Sequence, residues 1–449
     1  MDEKPQIHAS ADEQAFDLFY RRKFGVLAGY LPKESKYIGK WLSDTVGRAL
    51  AAAEGLSLDE LKPTVRAMQS WLDHTPAMKA LVEEMIREGV EVHKQYEPKA
   101  KYTVDSIETW LWSMNYIIQN APPYEPEVPH SAFPMSGLFV YMMWTQAGIV
   151  VFKNADFNRR LTAILDTWCE YLDSPESLNV ITTGKGGWLS EASYIKNDLD
   201  QFVTEEQKSL PHWGYTSFND FFHRQIIKIT RPVDGMTGDV DNPQVITSAN
   251  DGTVYRIARD VKREDCFDCK SQNYSLVNML DHSKYIDRFV GGDVVQTFLS
   301  GNNYHRWWSP ISGTVREARV VPGFMFSELY DEGFDPSAGT YSQGYEANVN
   351  TRGLVFIESD DPAIGMVCVI PIGITEISSI NIQVKAGDRV QKGEELGWFS
   401  YGGSSMCLVF QPGAIEQFTI VNPLPDVNSD NGPFIRVGGQ IAIAKAGKG

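Results

Sequence analysis

The residues best suited to chemistry lie in Tyr401-Gly402-Gly403-Ser404-Ser405, between the strand-like runs Gly397–Ser400 and Met406–Phe410. Glycines without Cβ atoms reach backbone angles closed to other residues, and such angles can press the Gly403 carbonyl against the Ser404 hydroxyl. Attack of that hydroxyl moves the acyl group from nitrogen to oxygen and makes an ester. Elimination of the ester then cuts the chain between residues 403 and 404 and leaves dehydroalanine, which hydrolyses to a pyruvoyl group. Gly-Gly-Ser is also an ordinary turn, so the run takes its meaning from its surroundings.

His305, in Tyr304-His305-Arg306-Trp307-Trp308, is a second candidate, because imidazole titrates near neutrality and suits proton transfer. The neighbouring aromatics Tyr304, Trp307 and Trp308 could line one wall of a pocket or simply pack a core. Cys266-Phe267-Asp268-Cys269 has the spacing of half a zinc site with no second pair nearby, so no metal is expected. Thr183-Gly184-Lys185-Gly186-Gly187 lacks the spacing of a phosphate loop and reads as a turn. The segment 384–399 is like the hairpin of a lipoyl or biotinyl carrier, but no lysine stands at the tip that such a carrier modifies.

Two textures of sequence must position these residues. Up to about residue 205 the chain reads as helical. Apolar residues recur at three- and four-residue steps over Asp59–His74, Pro76–Gln95, Val104–Gln119 and Asn158–Asp173. In the second of these, Met78, Leu81, Met85, Ile86 and Val90 form one stripe. The apolar run Gly137–Phe152, interrupted by Thr145 and Gln146, reads as one buried helix. After Asp220, short β-prone runs alternate with Gly, Pro, Asn and Asp, the pattern of an antiparallel β-rich domain. SANDGTV (248–254) and SPISGTV (309–315) echo one another and suggest similar tight hairpins in a barrel-like sandwich. The fold class is therefore α+β, with a boundary near 205–215.

Composition narrows the function classes. A formal net charge of −17 works against nucleic acid, whose affinity comes from neutralised phosphates, and against an anionic lipid surface. No run reaches the roughly 18 consecutive apolar residues of a membrane span. The acidic N-terminus MDEKPQIHASADEQAF has neither a signal-peptide nor a transit-peptide pattern, and the five scattered cysteines do not make a disulfide framework. A cytoplasmic location is expected, with membrane association unlikely.

Across most of residues 213–445 the chain resembles the phosphatidylserine decarboxylase family. The likeness is carried by SFNDFFHRQIIKITRPVD (217–234), SANDGTV, NNYHRWWSP (302–310), NTRGLVFIE (350–358), IGITEISSI (372–380) and GDRVQKGEELGWFSYGGSS (387–405). The resemblance implies that Ser404 becomes a covalent pyruvoyl group after self-cleavage at Gly403-Ser404. It implies too that Asp251 belongs to the self-cleavage triad and that His305 assists decarboxylation. The family's second histidine is replaced here by Trp308, which cannot serve as a base. Self-cleavage then needs another base or a rotated His305, or it is slow. Residues 1–205 resemble the helical domain of a soluble fungal branch that includes a tryptophan decarboxylase, through DTWCEYLDSPESLNVI (166–181) and GWLSEAS (187–193).

The expectation is a helical domain over 1–205 and a pyruvoyl decarboxylase domain over 206–449, cut into chains 1–403 and 404–449 that stay associated. The expected reaction is carbon dioxide loss from a free L-amino acid, aromatic and tryptophan-like. Two other readings fit the same residues: a phosphatidylserine decarboxylase acting at a membrane, and an uncleaved, catalytically silent homologue that only binds.

Overall fold

The computed structural model describes residues 36–125, 133–268, 271–299, 301, 303–329, 342–376, 379–401, 404–423 and 433–446. Residues 1–35, Cys269, Gly402 and Gly403 lie outside them.

Seven α-helices open the described chain: α1 (Lys36–Ala52), α2 (Pro63–Asp73), α3 (Pro76–Tyr96), α4 (Ile107–Ile117), α5 (Pro134–Phe139), α6 (Gln146–Phe152) and α7 (Ala155–Leu172). Both α2 and α3 start on a proline, whose missing N–H costs nothing in a first turn. Side chains of Ser106, Thr145 and Asn154 accept from backbone N–H groups at the starts of α4, α6 and α7. Helical periodicity located α2, α3, α4 and α7 to within a few residues. On α3 the buried stripe is Met78, Val82, Met85, Ile86, Gly89 and His93, with Leu81 and Val90 at its flanks.

The run Gly137–Phe152 departs from expectation, being divided between α5 and α6. Thr145 causes the break. Its Oγ1 donates to the Met142 carbonyl and accepts from the Gly148 N–H, ending one turn and starting the next helix.

Among the described residues the β-rich part is built on one eight-stranded antiparallel sheet. Its strands are β1 (Gly252–Ala258), β2 (Asp293–Leu299), β3 (Gly313–Val321), β4 (Arg352–Ser359), β5 (Met366–Gly373), β6 (Arg389–Val390), β7 (Ser404–Phe410) and β8 (Phe434–Ile435). Their spatial order is β6-β3-β4-β5-β7-β2-β1-β8. The echoing segments lead into β1 and β3, each second from an end of the sheet, but neither turns the tight hairpin expected: the strands just before them, 245–247 and 306–308, belong to two smaller sheets and do not pair with β1 or β3. In both, the glycine is required because a neighbouring strand's carbonyl, of Phe298 or Glu358, occupies the place of a Cβ.

Strand alternation divides the core. Met406, Leu408 and Phe410 of β7 face a cluster shared with two three-stranded sheets, one of 306–308, 380–382 and 395–399, the other of 245–247, 415–418 and 440–444. Cys407 and Val409 face the opposite cluster, which includes Leu276, Met279, Ile286, Phe289 and Ala347 from helical segments. A third cluster joins the two halves of the chain: Tyr304, Trp308, Met325, Phe326, Tyr401 and Val437 pack among the side chains of α1–α7. The fold is α+β, as expected.

Candidate active site

Ser404 is the first residue of β7, opposite Gly373 of β5 on one side and Leu299 of β2 on the other. It is fully buried, and its hydroxyl has no hydrogen-bond partner. Ser405 is placed quite differently. Its Oγ accepts from Gln296 Nε2 at 2.9 Å and donates to the Thr297 carbonyl at 2.9 Å, and Tyr274 Oη donates to Gln296 Oε1 at 2.6 Å. A buried hydroxyl left unpaired costs about 1–3 kcal/mol, so it is rare unless the group has another use. Of the two adjacent serines, the structure leaves the Ser404 hydroxyl without a partner and ties Ser405 into a network.

His305 is also fully buried. Its ring stacks on Phe222 with centroids 3.9 Å apart and meets Phe399 edge-on at 6.5 Å. Neither ring nitrogen makes a well-formed hydrogen bond. Burial pushes its pKa well below the usual histidine value, the Arg224 guanidinium and His223 act in the same direction, and the Asn303 backbone opposes them. His305 is therefore neutral near pH 7, with one lone pair and one N–H available. Phe222 links it to the Ser404 segment, because the same ring lies 5.2 Å from that of Tyr401.

The other residues of the motif have structural surroundings. Arg306 donates to Glu395 at 2.6 Å and to the His223 carbonyl at 2.6 Å. Trp307 is fully buried beside Phe399 and against Gly397, where no Cβ would fit. Tyr304 stacks on Phe202 at 5.8 Å, and Trp308 donates its indole N–H to Tyr304 Oη at 3.3 Å. These three aromatics lie within hydrophobic cores.

Asp251 has a partner that sequence reasoning did not assign. Arg231 holds its carboxylate through two hydrogen bonds of 2.6 and 2.9 Å, and the Val437 N–H donates to it at 2.8 Å. The third arm of Arg231, Nε, donates to Gln201 Oε1 at 2.5 Å. The basic partner of this aspartate in the structure is thus an arginine. Arg231 stands in the quoted segment 217–234, but nothing in its spacing points to a residue 20 positions away.

A phosphatidylserine decarboxylase family model matches residues 218–441, and a second phosphatidylserine decarboxylase model matches 62–196. Decarboxylase iboD of Amanita muscaria is 37% identical over 306 residues, covering 64% of this chain and 85% of that protein. The L-tryptophan decarboxylase of Psilocybe cubensis is 30% identical over 357 residues, covering 74% and 77%. The phosphatidylserine decarboxylase proenzyme of Chlamydia muridarum is 28% identical over 220 residues, covering 49% and 68%. The chain belongs to the phosphatidylserine decarboxylase family.

As a member of that family it is a decarboxylase, a carbon–carbon lyase, and the family's proenzymes are pyruvoyl-dependent. No helix among the described residues is long and apolar enough to cross a membrane. Further buried polar groups surround the Ser404 end of β7. Asn350 donates to the Gly373 carbonyl at 2.9 Å while its Oδ1 has no partner. Gln343 is fully buried with both side-chain polar atoms unpartnered, and its carbonyl accepts from the same Gln296 that binds Ser405. Neither belongs to a chemical motif readable from sequence. The signal in each case is a buried amide with at least one polar atom left without a hydrogen bond.

Proposed function

We propose that the chain cuts itself between Gly403 and Ser404 and then decarboxylates a free, aromatic, tryptophan-like L-amino acid. The observation that carries this is the buried, unpartnered Ser404 hydroxyl beside a Ser405 hydroxyl that is fully bonded. The residues present fit a group derived from Ser404: its side chain is fully buried with no protein hydrogen bond to break.

In this reading Ser404 Oγ attacks the Gly403 carbonyl, and neutral His305 is the candidate to accept the hydroxyl proton, since Trp308 cannot. Asp251 acts through Arg231 and the Val437 N–H by fixing the chain around the site. The pyruvoyl group, once formed, supplies an electrophilic carbonyl and an electron sink for loss of carbon dioxide. His305 then returns a proton to the substrate carbon. The amides of Gln343 and Asn350 are candidates for the substrate's polar groups. Tyr304 and Trp308 remain candidates for the aromatic wall, and no such role is proposed for Trp307.

Domains 1–205 and 206–449 correspond to scaffold and chemistry. After the cut, chains 1–403 and 404–449 stay together because β7 is hydrogen-bonded on both sides. The thiols of Cys169, Cys266, Cys368 and Cys407 are free, which agrees with a cytoplasmic setting.

The test combines intact mass with carbon dioxide release. Purified protein should consist of two fragments, the smaller with a ketoacyl N-terminus, and Ser404→Ala should remain one chain. Cleaved enzyme is then offered tryptophan, tyrosine, phenylalanine and micellar phosphatidylserine. Faster turnover of the phospholipid would replace the substrate assignment. An uncut but folded wild type would favour the silent homologue.

A further inference from the structure

Three chain segments meet at the Ser404 end of the sheet: β2 ends at Leu299, β5 ends at Gly373, and β7 begins at Ser404 between them. Just beyond each strand end the chain meets the helical region. After β2, Gly301 lies against the Phe133 ring, which leaves no room for a Cβ. After β5, the buried carboxylate of Glu376 accepts from the Ser136 N–H at 2.7 Å and from the Ser136 hydroxyl at 2.5 Å. Before β7, Tyr401 packs on Trp168 of α7 at 5.2 Å and on Phe133 at 6.5 Å, and its N–H donates to Asn219 Oδ1 at 3.1 Å. Phe133 and Ser136 both belong to the start of α5, so one short piece of the helical region touches all three.

We propose that the helical region positions Ser404 for self-cleavage, with the Ser136–Glu376 pair as its latch and Glu376 as a positioning residue. The inference rests on the self-cleavage reading above. A carboxylate is costly to bury unless its oxygens are bonded, and here each oxygen has a donor from a single residue 240 positions away in sequence. The pair fixes where the chain leaves β5, the strand that directly flanks Ser404. Acyl transfer needs the hydroxyl and the carbonyl carbon at near-contact distance, and a displacement of about 1 Å can slow such a step by roughly a hundredfold. Proteins that bury a carboxylate only for stability gain little from it, since an apolar pair of equal volume does as well or better.

The test measures the rate of chain cleavage by intact mass after synthesis in a cell-free system. The variants are Ser136→Ala, Ser136→Thr and Glu376→Gln, with Ser404→Ala as the uncut reference. Ser136→Ala and Glu376→Gln should each slow cleavage by about tenfold or more, and Ser136→Thr, which keeps the hydroxyl, should restore most of the rate. Val82→Ala serves as a control for stability alone: it opens a cavity in α3, far in sequence from the three strand ends, and should lower the melting temperature without slowing cleavage. Wild-type rates in both latch variants, or equal slowing in Val82→Ala, would overturn the positioning role. A wild type that is never cut overturns the self-cleavage reading itself, and the two failures are thereby distinguished. Because Ser136→Ala removes a single hydroxyl, it tests the latch even where Glu376→Gln does not fold.

Discussion

Arg231 and Asp251 form a two-pronged ion pair sealed from solvent, with the remaining arm of the guanidinium on Gln201 and an extra backbone donor on the carboxylate. Breaking a buried pair from one side leaves an uncompensated charge. Arg231→Ala should therefore cost about 3–5 kcal/mol, read from denaturant midpoints in a Ser404→Ala background. Asp251→Asn should slow cleavage, followed by intact mass. Unchanged cleavage in Asp251→Asn would remove this residue from maturation.

The two serines should respond in opposite ways. Ser404→Ala deletes a hydroxyl with no partner, so stability should hold while cleavage stops. Ser405→Ala strips Gln296 and Thr297 of hydrogen bonds and should cost about 1–3 kcal/mol, yet the chain should still be cut. Cleavage of Ser404→Ala would move the assignment to its neighbour.

His305→Ala should lower turnover per cleaved molecule by roughly 10²–10⁴-fold, the usual contribution of a positioned acid or base. Because burial holds the imidazole neutral, turnover by the wild type should stay level as pH falls through 6.5 and drop only in more acid solution. An activity step centred at 6.5 would mean an imidazole open to water.

The same shift has a stability consequence. The folded pKa of His305 lies below the unfolded value, so its contribution is intact above about 6.5 and is lost as the pH falls below it, when the unfolded chain takes up the proton more readily. His93, also lowered chiefly by burial, acts in the same sense. Glu376 has the opposite sign: its carboxyl is raised above 4.5 by burial, so its contribution is complete in acid and declines as pH rises through the folded value. Thermal melts of the uncut Ser404→Ala chain should show an acid limb that His305→Phe makes shallower.

Trp308→His should not hasten cleavage, although it restores the family's residue type. Asp251 is already committed to Arg231 and Val437, and replacing the indole loses its bond to Tyr304 and leaves a cavity costing about 2–4 kcal/mol. Cleavage faster than wild type would show that Asp251 can exchange partners.

Local signals made much of this molecule legible. Helical periodicity placed α2, α3, α4 and α7, whereas the two similar Ser-to-Val segments, which suggested hairpins, instead carry the chain from a small sheet into β1 and β3 of the large one, with a carbonyl in the space beside each glycine. Thr145 was visible, but its ability to satisfy two backbone groups at once, and so divide an apolar run, depends on the turn it makes. Ser404 and His305 were named from their motifs. Arg231, the amides of Gln343 and Asn350, and the Ser136–Glu376 pair were not, because each takes its significance from groups brought together only by the sheet and its helical cover.

The position of β7 would make the proposed cut topologically quiet. The segment after residue 403 supplies a central strand of the large sheet, the β8 edge strand and two strands of a smaller sheet. Releasing it would divide the large sheet between β5 and β2, so two cleaved molecules cannot trade their small chains without unfolding. Under the proposed cut, each molecule would keep the reactive terminus it made. A preparation of mixed competent and defective chains should therefore remain a mixture, with activity proportional to the competent fraction and no complementation between them.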